Sequence, residues 1–554
     1  MARVVSIGTQ DFEKLVASNS FYIDKTDFIR EWWESRDEVT LITRPRRFGK
    51  TLNMNMLERF WSLKYQGQGE LFHNLSIWKE EKYRKLQGTY PVISLSFAII
   101  KEKDFQNARA KLNELLVKLY EQNAFLKNSG ILGEKEIEFY NRVSSNMSDS
   151  DATLALHQMS DFLSRYYGKK VIILLDEYDT PMQEAYLHGY WDEMATFMRS
   201  FFNATFKTNQ WLERAVMTGI TRISKESMFS DLNNLNVASV TSSNYASCFG
   251  FTEEEVFASM DEFGMTNKSE VKKWYDGLHV GGRQDIYNPW SIINFLDKGQ
   301  LKPYWTNTSS NRLAGNLLRT GTKTIKVQFE DLLSDKTIDS RINEEIVFNQ
   351  LDGSDKSVWS ILLASGLLKA IKVSCRSYTL ALTNYEVKQM FEDMILDWFD
   401  EGDTGYNDFV KALLKGNLKE MNAYMNQVSL SMFSSFDTGT HPSEKTNPER
   451  FYHGFVLGLL VELSGRYEIT SNRESGLGRY DVMLKPLHEG DDGIILEFKV
   501  HDSKEESGLE ETVEAALRQI EEKKYDQVLL NLGIKKEQIR KYGFAFEGKK
   551  VLIG

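Results

Sequence analysis

The stretch Val39–Thr43, followed by Arg-Pro-Arg-Arg-Phe-Gly-Lys-Thr from Arg44 to Thr51, constrains this chain more than any other. An apolar strand that turns through a short glycine-bearing loop into a helix, expected here from Thr51 to about Trp61, opens a parallel α/β sheet. Residues 92–97, 171–175 and 215–218 read as further strands of the same sheet. The amphipathic stretches 105–123 and 154–167 are long enough for crossover helices. Residues 1–250 are therefore expected to form one α/β domain.

The loop has the make-up of a phosphate cradle. Gly49, Lys50 and Thr51 fill the last positions of the pattern Gly, four residues, Gly-Lys, Ser or Thr, while Arg44 stands at the first. Such a cradle aims amides at phosphate oxygens from a helix N-terminus. It also uses a lysine for the terminal phosphates and a hydroxyl for Mg²⁺. Arg46, Arg47, Phe48, Gly49, Lys50 and Thr51 are thus the expected nucleotide contacts, with Pro45 fixing the backbone. Gly-Lys-Thr before a helix also arises by chance, and the companion strand argues against chance. Residues 171–175 run into Asp176-Glu177-Tyr178-Asp179. Two carboxylates ending a buried strand suit a Walker B motif, with Asp176 in the Mg²⁺ shell and Glu177 polarising the attacking water. Arg222, just past the fourth strand, is a candidate to neutralise phosphate charge, although an ordinary strand-end arginine fits equally. Asp24-Lys25-Thr26 fits either a nucleotide contact or a helix cap.

At 554 residues the chain exceeds one core, and two to four domains are expected. Residues 251–440 read as a chiefly helical connector, with Thr252 as an N-cap, another helix start at 287–291, and a helix and β-wing pair at 358–370 and 378–382. The Ser, Thr, Gly and Pro residues of 433–448 read as a linker, and 441–554 as a last α/β domain. No apolar run approaches the roughly 20 residues of a bilayer span, and the N-terminus lacks a signal-peptide core. A cytoplasmic location without a membrane partner is expected. Cys248 and Cys375 are far apart and without ligand spacing, which argues against a disulfide framework or a cysteine-bound zinc. A net charge of −11 sits awkwardly with a polyphosphate partner. A basic face on an acidic protein answers this, and Lys523, Lys524, Lys535, Lys536, Arg540, Lys541, Lys549 and Lys550 offer one; an ordinary solvated surface fits them as well.

A second constellation lies near the C-terminus. Asp481 leads into an apparent strand, 486–492 is a polar turn, and 493–500 returns as Gly-Ile-Ile-Leu-Glu-Phe-Lys-Val. A turn centred on Glu489 sets Asp481 opposite Glu497, where paired Cβ atoms lie about 4.5–5.5 Å apart. Lys499 shares that face, whereas Leu496, Phe498 and Val500 point into a core. Close carboxylates repel unless a cation neutralises them, so a divalent metal is the natural occupant. Lys499 would then orient or activate water at a phosphodiester. A surface ion pair accounts for the same residues. Glu449, starting a helix, is a candidate third carboxylate beside His453. Gln519, in a helix at 515–520, is a candidate for substrate or metal-bound water.

Taken together these segments resemble a known fusion. Residues 21–26, Arg44 to Thr51, Leu174 to Asp179, Thr218-Gly219-Ile220, Phe249 to Thr252 with Glu255, Trp274 to Gly277 and Tyr287 to Trp290 resemble the bacterial and archaeal AAA-ATPase-like family. That family's loop typically carries Arg-Pro-Arg-Arg-Phe-Gly-Lys. Tyr452-His453-Gly454, Ser471 to Gly476, Gly478 to Asp481 and Glu497 to Lys499 resemble the PD-(D/E)XK nuclease superfamily domain usually fused to it, with Tyr480 where the superfamily's proline stands. The resemblance implies a multidomain α/β fold. It comprises an AAA-like P-loop NTPase at 1–250, a helical and winged-helix connector at 251–440, and a restriction-endonuclease-like domain at 441–554.

These readings imply an ATP-binding, ATP-hydrolysing protein whose metal-dependent nuclease domain is gated by the nucleotide. Asp481, Glu497, Lys499 and Glu177 would act in catalysis, while Thr51, Asp176, Glu449, Asp481 and Glu497 would hold metal. ATP and Mg²⁺ are the implied cofactors, with Mn²⁺ equally suited to oxygen ligands at the nuclease site. The implied partner is nucleic acid, DNA ahead of RNA, and a homo-oligomer is left open. The competing reading is a nucleotide-switched sensor or scaffold that binds nucleic acid or protein without cutting.

Overall fold

The computed structural model describes residues 3–222, 229, 232–306, 314–315, 317–318, 322–342, 355–374, 377–400, 406–432, 456–457, 459–460, 463, 466–475, 478–488, 490–502, 506–547 and 550–554. Two compact units are present: Met1–Arg319 with Asp335–Lys388, and Thr320–Ser334 with Gln389–Gly554. Among the described residues, no helix is long and apolar enough to cross a membrane.

The first unit is built on a five-stranded parallel sheet. Its strands are β1 (Val39–Thr43), β2 (Val92–Ser96), β3 (Val171–Asp176), β4 (Leu212–Gly219) and β5 (Leu235–Ala238), in the order β2-β3-β4-β1-β5. Every residue of β1 and β3 is buried. That is why both read as unbroken apolar runs, as central parallel strands do. The chain leaves β1 through the 44–49 loop and enters the helix Lys50–Trp61. Other helices are Phe105–Gln122 and Asp149–Tyr167, close to the expected crossovers, although the second begins five residues earlier, where Ser148 caps it. The edge strand β5 was not expected: only Ala238 of its four residues is buried, so it carries little apolar signal.

Residues beyond 250 continue in the same unit. Strands β6 (Phe251–Thr252), β7 (Leu278–Val280) and β8 (Arg283–Tyr287) form a small antiparallel sheet. Thr252 and Glu255 make a reciprocal capping box at the start of the helix Glu253–Glu262. Asn288 caps the helix Pro289–Lys298 through Trp290 N–H. Further on, the helix Asp355–Ala364 precedes β10 (Leu368–Val373) and β11 (Tyr378–Leu382), and β11 also pairs with β9 (Ile338–Ser340). Residues 368–370, expected at a helix end, are strand instead. Gly366, in the left-handed region at φ 80°, follows the last helical residue, Ala364, six residues short of the expected end.

The second unit holds a mixed sheet in the order β12-β13-β14-β15-β16. Its strands are β12 (Tyr467–Ser475), β13 (Gly478–Pro486), β14 (Gly493–Val500), β15 (Ile539–Glu547) and β16 (Lys550–Ile553). Only the β14–β15 pairing is parallel. One face packs Val482, Leu484, Leu496 and Phe498 against Phe409, Met421 and Met425 of the helices Tyr406–Lys415 and Leu418–Met432. The other face carries Met483 and Ile495, which pack with Ile520 of the helix Leu509–Glu522, and with Tyr525 and Leu529. The period of two along β13 and β14 therefore assigns odd and even positions to different cores. The expected linker at 433–448, and Glu449, His453 and Lys549, lie outside the described residues.

Candidate functional site

Arg44 does not line a cavity; it is wholly buried. Its guanidinium donates to the carbonyls of Thr43 (2.9 Å), Ala238 (2.9 Å), Ser239 (2.8 Å), Asn244 (3.1 Å) and Tyr245 (3.4 Å). Burial pulls its pKa down to about 10, which leaves the group cationic at neutral pH. Arg44 thus ties the loop to the chain beyond β5, and this explains an arginine where the general pattern has glycine. Gly49 takes φ 79°, the left-handed region, with open space around it, so backbone conformation rather than room requires glycine there.

Lys50 is buried, and its ammonium donates to the carbonyls of Arg44 (3.0 Å) and Pro45 (2.8 Å). Burial lowers its pKa, and the charges of Glu177, Asp176 and Asp179 offset part of that. Thr51 Oγ1 donates to Asp176 Oδ2 at 2.7 Å, and Thr218 Oγ1 donates to the other carboxylate oxygen. Burial raises the Asp176 pKa despite these two hydroxyls. Glu177, with φ 52°, lines the same cavity as Lys50 and Thr51 and accepts from Thr180 Oγ1 at 3.2 Å.

Asp179, overlooked in the sequence as one more member of an acidic run, is buried. Its carboxylate accepts from the backbone N–H groups of Ile220 (3.0 Å) and Thr221 (2.9 Å), and from Thr221 Oγ1 (2.9 Å). Tyr178 donates its hydroxyl to Thr221 O at 2.7 Å. Together they clamp the end of β4 against β3. Gly219 is needed for closeness, since a Cβ there would lie 2.6 Å from the Tyr178 ring and 2.7 Å from Asp179 Oδ1. Arg222 follows this clamped segment; the described cavity lining includes Ile220 but not Arg222.

The cavity measures about 570 Å³. Arg46, Arg47, Phe48, Gly49, Lys50 and Thr51 all line it. Leu15, Phe21, Ile23, Phe251, Trp290 and Ile293 add apolar lining, and Ser6, Thr9 and Gln10 polar lining. Residues past 250 therefore help to build it. Asn288 Nδ2 donates to Arg46 O at 3.2 Å, and the Arg47 guanidinium lies 4.3 Å from the centre of the Trp290 ring. No spacing rule could have found these contacts, which join residues more than 240 positions apart. Of the Asp24-Lys25-Thr26 segment, Lys25 lines the same cavity, and Thr26 precedes the helix Asp27–Ser35 without a side-chain capping bond. Lys25 Nζ donates to both Glu255 oxygens at 2.7 Å and to Ser247 O at 2.9 Å, and Asp24 accepts from Thr26 and Ser76.

In the second unit, β13 and β14 pair as Val482↔Leu496, Met483↔Ile495 and Leu484↔Ile494, so Asp481 and Glu497 each stand one residue beyond the paired stretch. Phe498 N–H donates to Asp481 Oδ2 at 2.8 Å. Burial raises the Asp481 pKa, with the Phe498 amide and the Lys499 charge pulling the other way. Glu497 is 2% exposed and accepts from the Gln519 amide. Gln519 also donates to the buried Tyr525 hydroxyl at 3.4 Å. Lys499 follows two residues after Glu497 on β14 and shares its face. Two of the basic residues considered for nucleic acid are instead engaged locally. Lys541 pairs with Glu521 and Asp526 at 2.8 Å each, and Arg540 pairs with Asp492 and donates to Leu414 O at 2.8 Å.

Comparison with known proteins fits this division. Residues 6–229 match the family model described as a predicted AAA-ATPase, and residues 447–554 match that of the PD-(D/E)XK nuclease superfamily. The chain thus joins an AAA-ATPase-like domain to a C-terminal PD-(D/E)XK nuclease superfamily domain, the fusion its motifs resemble. It is also similar to an uncharacterized protein in the vnfD 5′ region of Azotobacter chroococcum mcd 1. The two are 26% identical over 402 residues, covering 70% of this chain and 69% of that protein.

Proposed function

We propose that this fusion hydrolyses ATP in its first unit and cuts nucleic acid, DNA ahead of RNA, in its second, with cutting governed by the nucleotide state. The observation that carries the reading is the placement of Asp481, Glu497 and Lys499 on one sheet face, with Gln519 bonded to Glu497. In the first unit, Lys50 and the loop amides would bind the β- and γ-phosphates. Glu177 would take the proton as the oxygen of water bonds to the γ-phosphorus and ADP leaves with the electrons of the broken P–O bond. In the second, Lys499 would orient the water that attacks the phosphodiester, and Gln519 would keep Glu497 aligned.

The oxygen donors fit a hard divalent cation: a hydroxyl bonded to a carboxylate at Thr51 and Asp176, and two desolvated carboxylates at Asp481 and Glu497. Thr51 and Asp176 would hold Mg²⁺, and Asp481, Glu497 and Glu449 would hold Mg²⁺ or Mn²⁺. When bound, the cation would supply positive charge to polarise phosphate oxygens. Arg222 near the terminal phosphate, a winged-helix role for the helix Asp355–Ala364 with β10 and β11, and a cytoplasmic setting belong to the same proposal. The test is cleavage of plasmid and single-stranded DNA with Mg²⁺ or Mn²⁺, with and without ATP. Cutting lost in Lys499→Ala, and responsive to ATP only while Lys50 is intact, is the expected result. Metal binding without cleavage of DNA or RNA would favour the sensor or scaffold instead.

A further inference from the structure

Granted the nuclease site proposed above, we infer that His501 is its proton donor: paired with Glu506, it protonates the oxygen that leaves as the phosphodiester is cut. His501 directly follows β14, and its backbone N–H donates to Phe546 O at 2.9 Å, so it keeps the register of β14 with β15. Contacts fix the face it occupies. Ile495 packs with Ile520, Glu497 accepts from Gln519, and His501 bonds to Thr512; all three partners belong to the helix Leu509–Glu522. Positions 495, 497 and 501 therefore share the face that carries Lys499, which stands midway between Glu497 and His501.

The ring is set as a proton-transferring histidine has to be. Its side chain is 7% exposed. The buried Thr512 donates its hydroxyl to a carboxylate oxygen of Glu506. Thr512 has one hydroxyl hydrogen and it is used there, so the 3.1 Å bond between Thr512 Oγ1 and His501 Nδ1 is made by the N–H of the ring. The same Glu506 oxygen lies 3.3 Å from Nδ1 and accepts the Asp502 N–H at 3.2 Å, which helps to hold it there. Nδ1 thus keeps its hydrogen. Nε2, which takes no part in these bonds, is the nitrogen that gains and loses a proton. A carboxylate that fixes the tautomer and offsets the charge of the ring is what histidines that pass protons in acyl transfer rely on.

The reaction calls for such a group. An in-line displacement puts the attacking water and the leaving oxygen on opposite sides of phosphorus, so a residue that orients the water leaves the other side without a donor. Successive positions on one strand face are about 6.6 Å apart, which sets His501 past Lys499 on the side away from Glu497. As the oxygen of water bonds to phosphorus, the bond from phosphorus to the leaving oxygen breaks, and that oxygen keeps the electron pair. It takes the proton of Nε2–H. The ring, cationic beforehand, is left neutral with its hydrogen on Nδ1, and the proton shed by the water restores it through solvent.

The experiment is single-turnover cleavage by the full chain, with Mn²⁺ and ATP, for wild type, His501→Ala and Glu506→Gln. One set of DNA substrates has ordinary linkages; two others carry sulfur in place of the 3′ or the 5′ bridging oxygen at one linkage, read by release of free thiol. A thiolate leaves without a proton, so sulfur at the leaving position removes the need for a donor. His501→Ala is expected to cut the ordinary linkage about a hundredfold or more slower than wild type, yet to release thiol from one sulfur substrate within about threefold of wild type. That release also shows the variant to be folded and to bind DNA. Glu506→Gln should be slower only on the ordinary linkage. The inference is overturned if His501→Ala slows oxygen and sulfur linkages alike, slows neither, or releases no thiol from either sulfur substrate. A wild type that cuts no linkage at all removes the nuclease reading itself, a separate failure.

Discussion

Asp481 accepts the backbone N–H of Phe498 at 2.8 Å, one residue past Glu497, so its carboxylate is fixed to β14 between Glu497 and Lys499 in sequence. The bond holds Asp481 without using Lys499 or Gln519, and this separates the roles of the three. Lys499→Ala is expected to lower single-turnover cleavage by about a hundredfold or more, as loss of a group acting on the attacking water does. Gln519→Ala should cost about tenfold, because it loosens Glu497 rather than removing it. Equal losses in the two variants would deny Lys499 its separate role.

What the sequence revealed follows from burial. Strands β1 and β3 were legible because they are buried along their whole length, and β5 was not because its four residues include a polar one and only Ala238 is buried. The hairpin register was legible because two apolar alternations flank a polar turn whose midpoint fixes the pairing, and the observed register is the expected one. The contacts of Asn288, Trp290 and Asp179 were not legible. Each depends on where a distant segment is brought by the fold, and periodicity says nothing of that. Arg44 stood in plain view, but its partners are backbone carbonyls, which leave no trace in a sequence.

Arg44→Gly would bring the loop to the general phosphate-loop pattern, yet it should harm the protein. The change removes one donor from each of five carbonyl groups, of which those of Ser239 and Tyr245 keep the N–H groups of Ser242 and Cys248, and leaves a space inside the unit. Unsatisfied buried acceptors cost about 1–3 kcal/mol each before relaxation and water entry. We expect a loss of about 3 kcal/mol or more in urea unfolding, together with weaker ATP binding. A stable Arg44→Gly protein would show that the loop is held by other means.

Gly219→Ala tests the clamp at the end of β4. A methyl group there meets the Tyr178 ring at 2.6 Å, and both Tyr178 and Asp179 are fixed by bonds to Thr221. Overpacking of this kind costs about 1–3 kcal/mol. The displaced strand end should also move Thr218 away from Asp176. Reduced stability and slower ATP hydrolysis are expected together; slower hydrolysis at full stability would mean that the strand end yields locally.

Glu386 offers a test by pH. It is 1% exposed, accepting from Ser291 Oγ (2.7 Å), Trp305 N–H (2.6 Å) and Thr306 N–H (3.4 Å), and burial raises its pKa from 4.5 to about 7. In the unfolded chain the carboxyl ionises near its ordinary value, whereas the folded chain keeps its proton until about pH 7. Between these two values the folded state binds more protons than the unfolded one, so stability falls as pH rises and levels off above about 7. At roughly 1.4 kcal/mol per pKa unit, the fall attributable to this group is about 2–4 kcal/mol. Glu386→Gln removes the titration while keeping an acceptor for Trp305. The wild-type advantage over Glu386→Gln in urea unfolding should therefore shrink from pH 5 to pH 8, and could reverse sign. Parallel stability curves for the two proteins would mean that Glu386 is already ionised within the fold.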